Sequence, residues 1–234
     1  MSPKVALTVD LVGTVRELTD FCKVLGKSDV RATFFVSGKV GEPEQIKIVL
    51  DGKHEVASHT LSHPTDLTRM STDELESEIF AGHKAVVTLC ESCAADFKVQ
   101  GFRSPYYMFD ERIPRALSTI GYLWDSSRAF FPALSKPFEF KWYDKILEIP
   151  SLFPDDNTLL SRLALKPERV EYLWKEAYRA SKEYFVLGVH PYVIARDDER
   201  LTTLERFLDF LQMEGAEFLS MSEMANSIKH GLTK

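Results

Sequence analysis

Short apolar or β-branched runs alternate with longer stretches of 3.6-residue periodicity along nearly the whole chain, and that alternation constrains the fold more than any other feature. Strands that alternate with helices pack as a parallel sheet covered by helices, because a parallel pair needs a long crossover and a helix supplies it. The strand candidates are residues 5–9, 32–36, 54–57, 99–102, 122–124, 146–149, 184–189 and 217–219. Eight such runs approach a barrel count, and the expected fold is α/β, a distorted TIM-like barrel. Between them, 14–25 presents Val15, Leu18, Phe21, Cys22 and Leu25 on one helical face, and 72–89 presents Leu75, Ile79, Val86 and Leu89. Ser71-Thr72-Asp73-Glu74 reads as a helix start, and Pro167-Glu168 opens another that runs to Tyr178. Segments 200–213 and 222–228 supply the last helices. No linker, low-complexity tract or fixed-period repeat interrupts the series, so residues 1–234 are expected to form a single domain.

Composition narrows the function. Lys plus Arg number 29 against 35 Asp plus Glu, a formal charge of −6, which offers no electrostatic footprint for nucleic acid. No apolar run approaches the roughly 20 residues of a membrane-spanning helix. The first residues lack the charged, apolar and small-residue sections of a secretory signal, so a cytoplasmic protein is expected. Cys22, Cys90 and Cys93 are too few for a disulfide scaffold, and the lone C-x-x-C of Cys90 and Cys93 reads as two thiols at a helix end. The Phe- and Pro-rich stretch 130–143 reads as a long loop that walls a cleft or serves a subunit contact in a homo-oligomer.

Reactive side chains gather where the strands end. Asp10 closes the first strand, His59 follows the third, Arg103 the fourth, Asp125 the fifth, and His190 follows 184–189. In a parallel sheet or barrel the carboxyl ends share one face, the usual place of catalytic groups. His59 and His63, four residues apart, would be aimed at one point by a single helical turn and form half of a metal site. Their nitrogen donors suit zinc, or cobalt or nickel, better than magnesium or calcium. Asp10 beside an Arg-bearing strand end has what a general base needs, a carboxylate held in place and kept ionised. His190 is placed to protonate a leaving group, with Asp125 as its orienting carboxylate.

In order, Thr8-Val9-Asp10, Ser58-His59-Thr60-Leu61-Ser62-His63-Pro64, Phe102-Arg103-Ser104-Pro105-Tyr106, Trp124-Asp125-Ser126-Ser127 and Gly188-Val189-His190 resemble the polysaccharide deacetylase family, the NodB-homology group also called carbohydrate esterase family 4. The resemblance runs from Val5 to about Ala225, and it implies a distorted (β/α)7 or (β/α)8 barrel. Ile149-Pro150-Ser151 and His190-Pro191-Tyr192-Val193 resemble the peptidoglycan deacetylase-like and allantoinase-like branch. The resemblance implies hydrolysis of non-peptide carbon–nitrogen bonds, with an N-acetylated sugar or oligosaccharide, or a related small amide, as substrate. It implies Asp10 as the base that activates water, Arg103 as its brace, and His59 and His63 as ligands of a divalent metal. It further implies that the backbone N–H of Tyr106, in the turn opened by Pro105, helps hold the oxyanion, and that His190 is the general acid.

One departure matters. The family's third metal ligand is a second aspartate adjacent to the first or two residues on, and here those positions are Leu11 and Val12. Asp10 itself, Asp125, Asp155 or Asp156 would have to replace it, although Asp155-Asp156-Asn157 reads as a turn or helix cap. Gly188 also stands where many relatives carry a pocket leucine. Three expectations follow: a metal-dependent deacetylase, a metal-independent amidohydrolase on the same barrel, or a catalytically silent barrel that binds a glycan or partner.

Overall fold

The computed structural model describes residues 2–93, 97–130 and 139–231. Most of the expected loop 130–143 therefore lies outside the described residues. The strands are β1 (Lys4–Asp10), β2 (Thr33–Val36), β3 (Glu55–Ser58), β4 (Gly101–Phe102), β5 (Trp124–Asp125), β6 (Ala129–Phe130), β7 (Lys141–Tyr143), β8 (Ile146–Glu148), β9 (Ser151–Leu152), β10 (Tyr184–Val189) and β11 (Glu217–Phe218). The main helices are α1 (Val15–Lys27), α2 (Pro43–Asp51), α3 (Thr72–Glu91), α4 (Arg112–Ile120), α5 (Pro167–Ala180), α6 (Pro191–Ile194), α7 (Asp198–Met213) and α8 (Met221–Gly231). All eight expected strand positions carry strands, several shorter by one or two residues.

The sheet runs β6-β9-β10-β1-β2-β3-β4-β5-β8-β7, parallel except for the β7–β8 hairpin. Residues 146–152 close it. At their start Leu147 and Glu148 pair with Trp124 and Asp125, and at their end Leu152 pairs with Leu187 of β10. Pro150 has no N–H to give a ladder, so this stretch splits into β8 and β9 while still bridging β5 to β10. The result is a distorted barrel of seven staves, with β5–β6 and β8–β9 as two broken ones. The eighth expected strand is not a stave: β11 pairs with Lys4 and Val5 of β1, below the point where β2 begins.

Why these segments become these elements follows from their sequence. β1 and β10 are buried on both faces, as a helix-covered parallel strand requires, and read as near-continuous apolar runs. α1 buries Leu18, Phe21, Val24 and Leu25 against the sheet, and Thr14 with Glu17 forms a capping box at its start. α3 begins with the expected box, Ser71 with Glu74. Each such cap contributes about 1 kcal/mol. Trp174 and Tyr178 of α5, Phe207 and Phe210 of α7, and Phe185 of β10 form one aromatic cluster beneath the sheet. The three cysteines are free; Cys90 is buried in α3 and Cys93 follows its end. Among the described residues no helix is long and apolar enough to cross a membrane.

Candidate active site

The strand-end residues come together. Asp10, buried at the tip of β1, accepts a 2.8 Å bond on Oδ1 from Nη1 of Arg103. Arg103 is fully buried beyond β4, and its other donors reach Thr8 Oγ1 at 2.9 Å, Ser126 Oγ at 3.1 Å and the Ser126 carbonyl at 3.2 Å. Its guanidinium lies 4.1 Å from the centre of the Phe35 ring. A planar fork with each edge satisfied has one orientation, so Asp10 is held in one place. Burial pushes the Asp10 carboxyl up, but Arg103, with His59 and His190, outweighs it and holds it at about 2.

His59 is buried, and its Nδ1 bonds the Arg103 carbonyl at 2.7 Å. A carbonyl only accepts, so Nδ1 carries the proton and Nε2 presents its lone pair. That Nε2 is fully buried without a hydrogen-bond partner, 3.8 Å from Asp10 Oδ2. Burial, with the nearby His63 and Arg103, lowers the His59 imidazole to about 4, which keeps it neutral. His63 lies with its ring centre 5.0 Å from that of His59.

The pair does not sit on a helical turn as its spacing suggests. Residues 59–63 form a bend with Thr60 and His63 in the left-handed region, at φ 68° and 57°. A β-branched residue there is unusual and has to be held. Gly38 N–H donates to the Thr60 carbonyl at 3.0 Å, Lys39 N–H to Leu61 at 2.8 Å, and Glu78 of α3 accepts from Ser62 N–H and hydroxyl at 2.5 and 2.8 Å.

His190 faces Asp10 from the opposite side, its Nε2 3.8 Å from Asp10 Oδ2. The expectation that Asp125 orients it is corrected by the structure. Asp156 does so: its Oδ1 is 2.6 Å from His190 Nδ1, and its Oδ2 accepts from the His190 backbone N–H at 2.8 Å. Burial would strip the proton from His190, but Asp156, and behind it Asp10 and Asp155, raise it to about 9, so the imidazole is protonated at neutral pH. Asp156 also accepts from Asn157 N–H at 2.8 Å, so the expected cap exists, at the mouth of a π-helical turn, Asn157–Arg162.

Asp125 turns the other way. It accepts from Ser127 Oγ at 2.5 Å, and Ser127 Oγ accepts from Ser104 N–H at 2.9 Å. Asp125 stands in register with Glu148 on the neighbouring strand, and both carboxyls are buried. Burial, together with Asp125, raises Glu148 well above the ordinary carboxylate value, and burial raises Asp125 to about 6. Its work is to pin the 103–104 turn.

Tyr106 and Tyr107 follow Pro105, both left-handed at φ 58° and 54°. Pro105 is buried, whereas the Tyr106 ring is 53% exposed at the mouth, against His63. Asp10, His63, Tyr106, Tyr107, His190 and Tyr192 are among the residues lining one cavity of about 480 Å³, within the usual range for a small-molecule site.

The donor set can be tested against a divalent ion. His59 Nε2, orphaned and of fixed tautomer, is a ready ligand, and His63 and Asp10 Oδ2 lie beside it. Leu11 is buried in the core and Val12 lines the cavity, so neither adds a carboxylate. Among the described residues, the ligand-type side chains whose donor atoms all lie within 4.8 Å of one another are Asp155, Asp156 and His190. There Asp156 already serves His190 and two backbone N–H groups, and Asp155 Oδ1 accepts from Thr158 N–H, so an ion at this trio would compete with the Asp156–His190 bond. His59 and His63, with Asp10 as a third donor, are the residues that could hold an ion on the cavity side, but their donor atoms do not all lie within 4.8 Å of one another, so His63 would have to turn toward His59 Nε2 to complete the set.

Comparison with known proteins agrees with this geometry. Residues 2–123 match the family model for polysaccharide deacetylase. A chitooligosaccharide deacetylase from Bradyrhizobium sp. (strain ANU 289) is 32% identical over 96 residues, 40% of this chain and 42% of that protein. The chain spans about half the length or less of the first curated relatives it matches. Among solved structures, a Mycobacterium smegmatis protein provisionally classed as a polysaccharide deacetylase superposes with a TM-score of 0.80 at 20% identity, over 99% of this chain and 92% of that one. A carbohydrate esterase family 4 pseudoenzyme from Bacillus anthracis superposes at 0.69 with 17% identity, over 96% and 66%. At such identities the two structures speak for the fold.

Proposed function

Since the chain belongs to the polysaccharide deacetylase family, we propose that it hydrolyses the amide of an N-acetylated amino sugar or short oligosaccharide, releasing acetate and the free amine. The observation that carries this reading is the pair of opposed groups across one cavity. A carboxylate held ionised by Arg103 faces an imidazolium held protonated by Asp156, 3.8 Å apart. Amide hydrolysis needs both: a group to take a proton from water, and another to give a proton to the departing nitrogen.

Asp10 Oδ2 aligns a water beneath the amide carbonyl and takes its proton as the tetrahedral centre forms. His190 Nε2 protonates the nitrogen as the C–N bond breaks. The Tyr106 N–H, in a turn fixed by Pro105 and by the Ser127–Ser104 bond, supplies a donor to the developing oxyanion. His59 Nε2 and His63, with Asp10, would hold a divalent ion of the zinc, cobalt and nickel class. Such an ion supplies acidity to water and polarises the carbonyl, which matters because a carboxylate held near 2 is by itself a weak base.

A second reading has its own observation. Leu11 and Val12 leave Asp10 Oδ2 to serve as both ligand and base, which favours weak metal retention or hydrolysis without metal. Acetate release from N-acetylglucosamine oligomers, measured before and after chelation and after zinc is restored, separates the two. Metal-dependent deacetylation predicts loss on chelation and recovery on restoration, while metal-independent hydrolysis predicts no change. In both, Asp10→Asn removes turnover by at least about a thousandfold. A folded protein that releases acetate from no N-acetylated sugar would leave the silent, glycan-binding barrel as the reading.

A further inference from the structure

Tyr107 occupies a place that the chemistry above does not use. The two left-handed residues in succession turn the Tyr106 ring out to the mouth and the Tyr107 ring inward. The Tyr107 ring centre lies 5.3 Å from the guanidinium carbon of Arg103, and its hydroxyl donates to Ser151 Oγ at 3.4 Å. The hydroxyl ends against Gly188 of β10. A Cβ on Gly188 would stand 2.5 Å from that oxygen, 3.3 Å from Ser151 Oγ and 3.6 Å from Nη1 of Arg103. That same Nη1 holds Asp10. Gly188 is thus a glycine because the phenol fills the space its side chain would take.

We infer that Tyr107 closes the deep, acyl end of the cavity and limits the acyl group this site accepts to one about the size of acetyl. Two constraints lead there, and the assignment rests on the amide-hydrolase reading. The sugar side of any substrate is bulky and has to leave through the mouth, past the exposed Tyr106. The carbonyl carbon has to lie against Asp10, so the remaining substituent, the acyl chain, points inward to where Tyr107 and Phe153 line the same cavity. Phe153 meets the Tyr107 ring edge to face at 6.2 Å, and with the hydroxyl bonded to Ser151 the packed ring resists displacement by a longer chain. The floor so formed comes from β9, β10 and the 105–107 turn, three separate parts of the barrel.

The test uses the product carboxylates, so it does not depend on turnover. Dissociation constants for acetate, propionate and butyrate are measured by calorimetry on the whole chain, wild type and variants. Wild type is expected to lose affinity by tenfold or more from acetate to butyrate, Tyr107→Ala to abolish that loss, and Tyr107→Phe, which keeps the ring, to preserve it. Should Tyr107→Ala fail to fold, the glycine gives an independent measurement. Gly188→Ala is expected to weaken acetate binding at least tenfold by driving the phenol into the cavity, and adding Tyr107→Phe, which removes the obstructing oxygen, to restore most of it. A wild type that binds butyrate as well as acetate, or binds none of the three, overturns the inference, as does a length preference unchanged in Tyr107→Ala or a Gly188→Ala effect that Tyr107→Phe leaves in place. If the carboxylate series behaves as expected while no N-acetylated sugar is hydrolysed, the acyl pocket stands and the deacetylase reading fails.

Discussion

His190 can donate a proton only while it carries two, and Asp156 is what keeps it so. The ring is nearly dry, which by itself favours the neutral form, and the charge-assisted bond at 2.6 Å outweighs that. An acid of pKa about 9 is in its donating form below that pH, so activity is expected to fall as pH rises through about 9. Asp156→Asn removes the charge while keeping the shape. Its alkaline limb should shift down by about two pH units, with a loss of kcat of about tenfold at pH 8. A pH–rate profile of the two proteins checks this, and an unmoved limb would show that His190 is tuned by something else. The spacing of residues in the sequence could not have named Asp156, because an aspartate before an asparagine has a sufficient local explanation as a cap. His190, His59, Arg103 and Asp10 were legible because each stands where an apolar run stops, which is a local fact. Asp125 stands at such a place too, and its partner proved to be a second carboxyl across the ladder.

At the scale of elements, α3 does more than cover the sheet. Gly82 lies under the 59–63 bend so closely that an added Cβ would stand 2.6 Å from Leu61 N and 2.7 Å from the Thr60 carbonyl oxygen, both backbone atoms unable to yield as a flexible side chain would. Glu78, one turn earlier, binds Ser62. The helix therefore sets the position of His59 and His63. Substituting Gly82→Ala raises intrinsic helix propensity by up to about 1 kcal/mol, whereas overpacking costs about 1–3 kcal/mol, so the net effect should be destabilising. The bend should move as well, and a shift near 1 Å in a catalytic group is worth about a hundredfold in rate. Denaturant unfolding together with kcat/KM measures both; a variant with wild-type activity and higher stability would mean the bend has slack. The H-x-x-x-H spacing alone suggested a helix because four residues is one turn. The bend replaces it because Thr60 and His63 are held left-handed by bonds to segments distant in sequence.

For the molecule as a whole, the site is a charge balance buried inside the barrel mouth. Arg103 and protonated His190 are set against Asp10 and Asp156, with the buried Asp125 and Glu148 carboxyls, both raised by burial, behind them. This links stability to pH. His190 is raised in the folded state, so its contribution is complete below the unfolded value near 6.5 and is lost as pH rises through about 9. Urea unfolding should therefore give a stability about 3 kcal/mol lower at pH 10 than at pH 6.5, and Asp156→Asn should flatten that dependence. The sequence by itself determined the alternating parallel architecture, the places where strands stop, and hence which reactive groups stand on the catalytic face, because side-chain period and strand ends are properties of a few consecutive residues. Only the tertiary structure decided that residues 146–152 close the ring, that Asp156 and not Asp125 meets His190, and that Tyr107 takes the space of a side chain at Gly188. Each of those depends on which segments the closing barrel sets side by side, and that choice is made by packing among residues far apart in the chain.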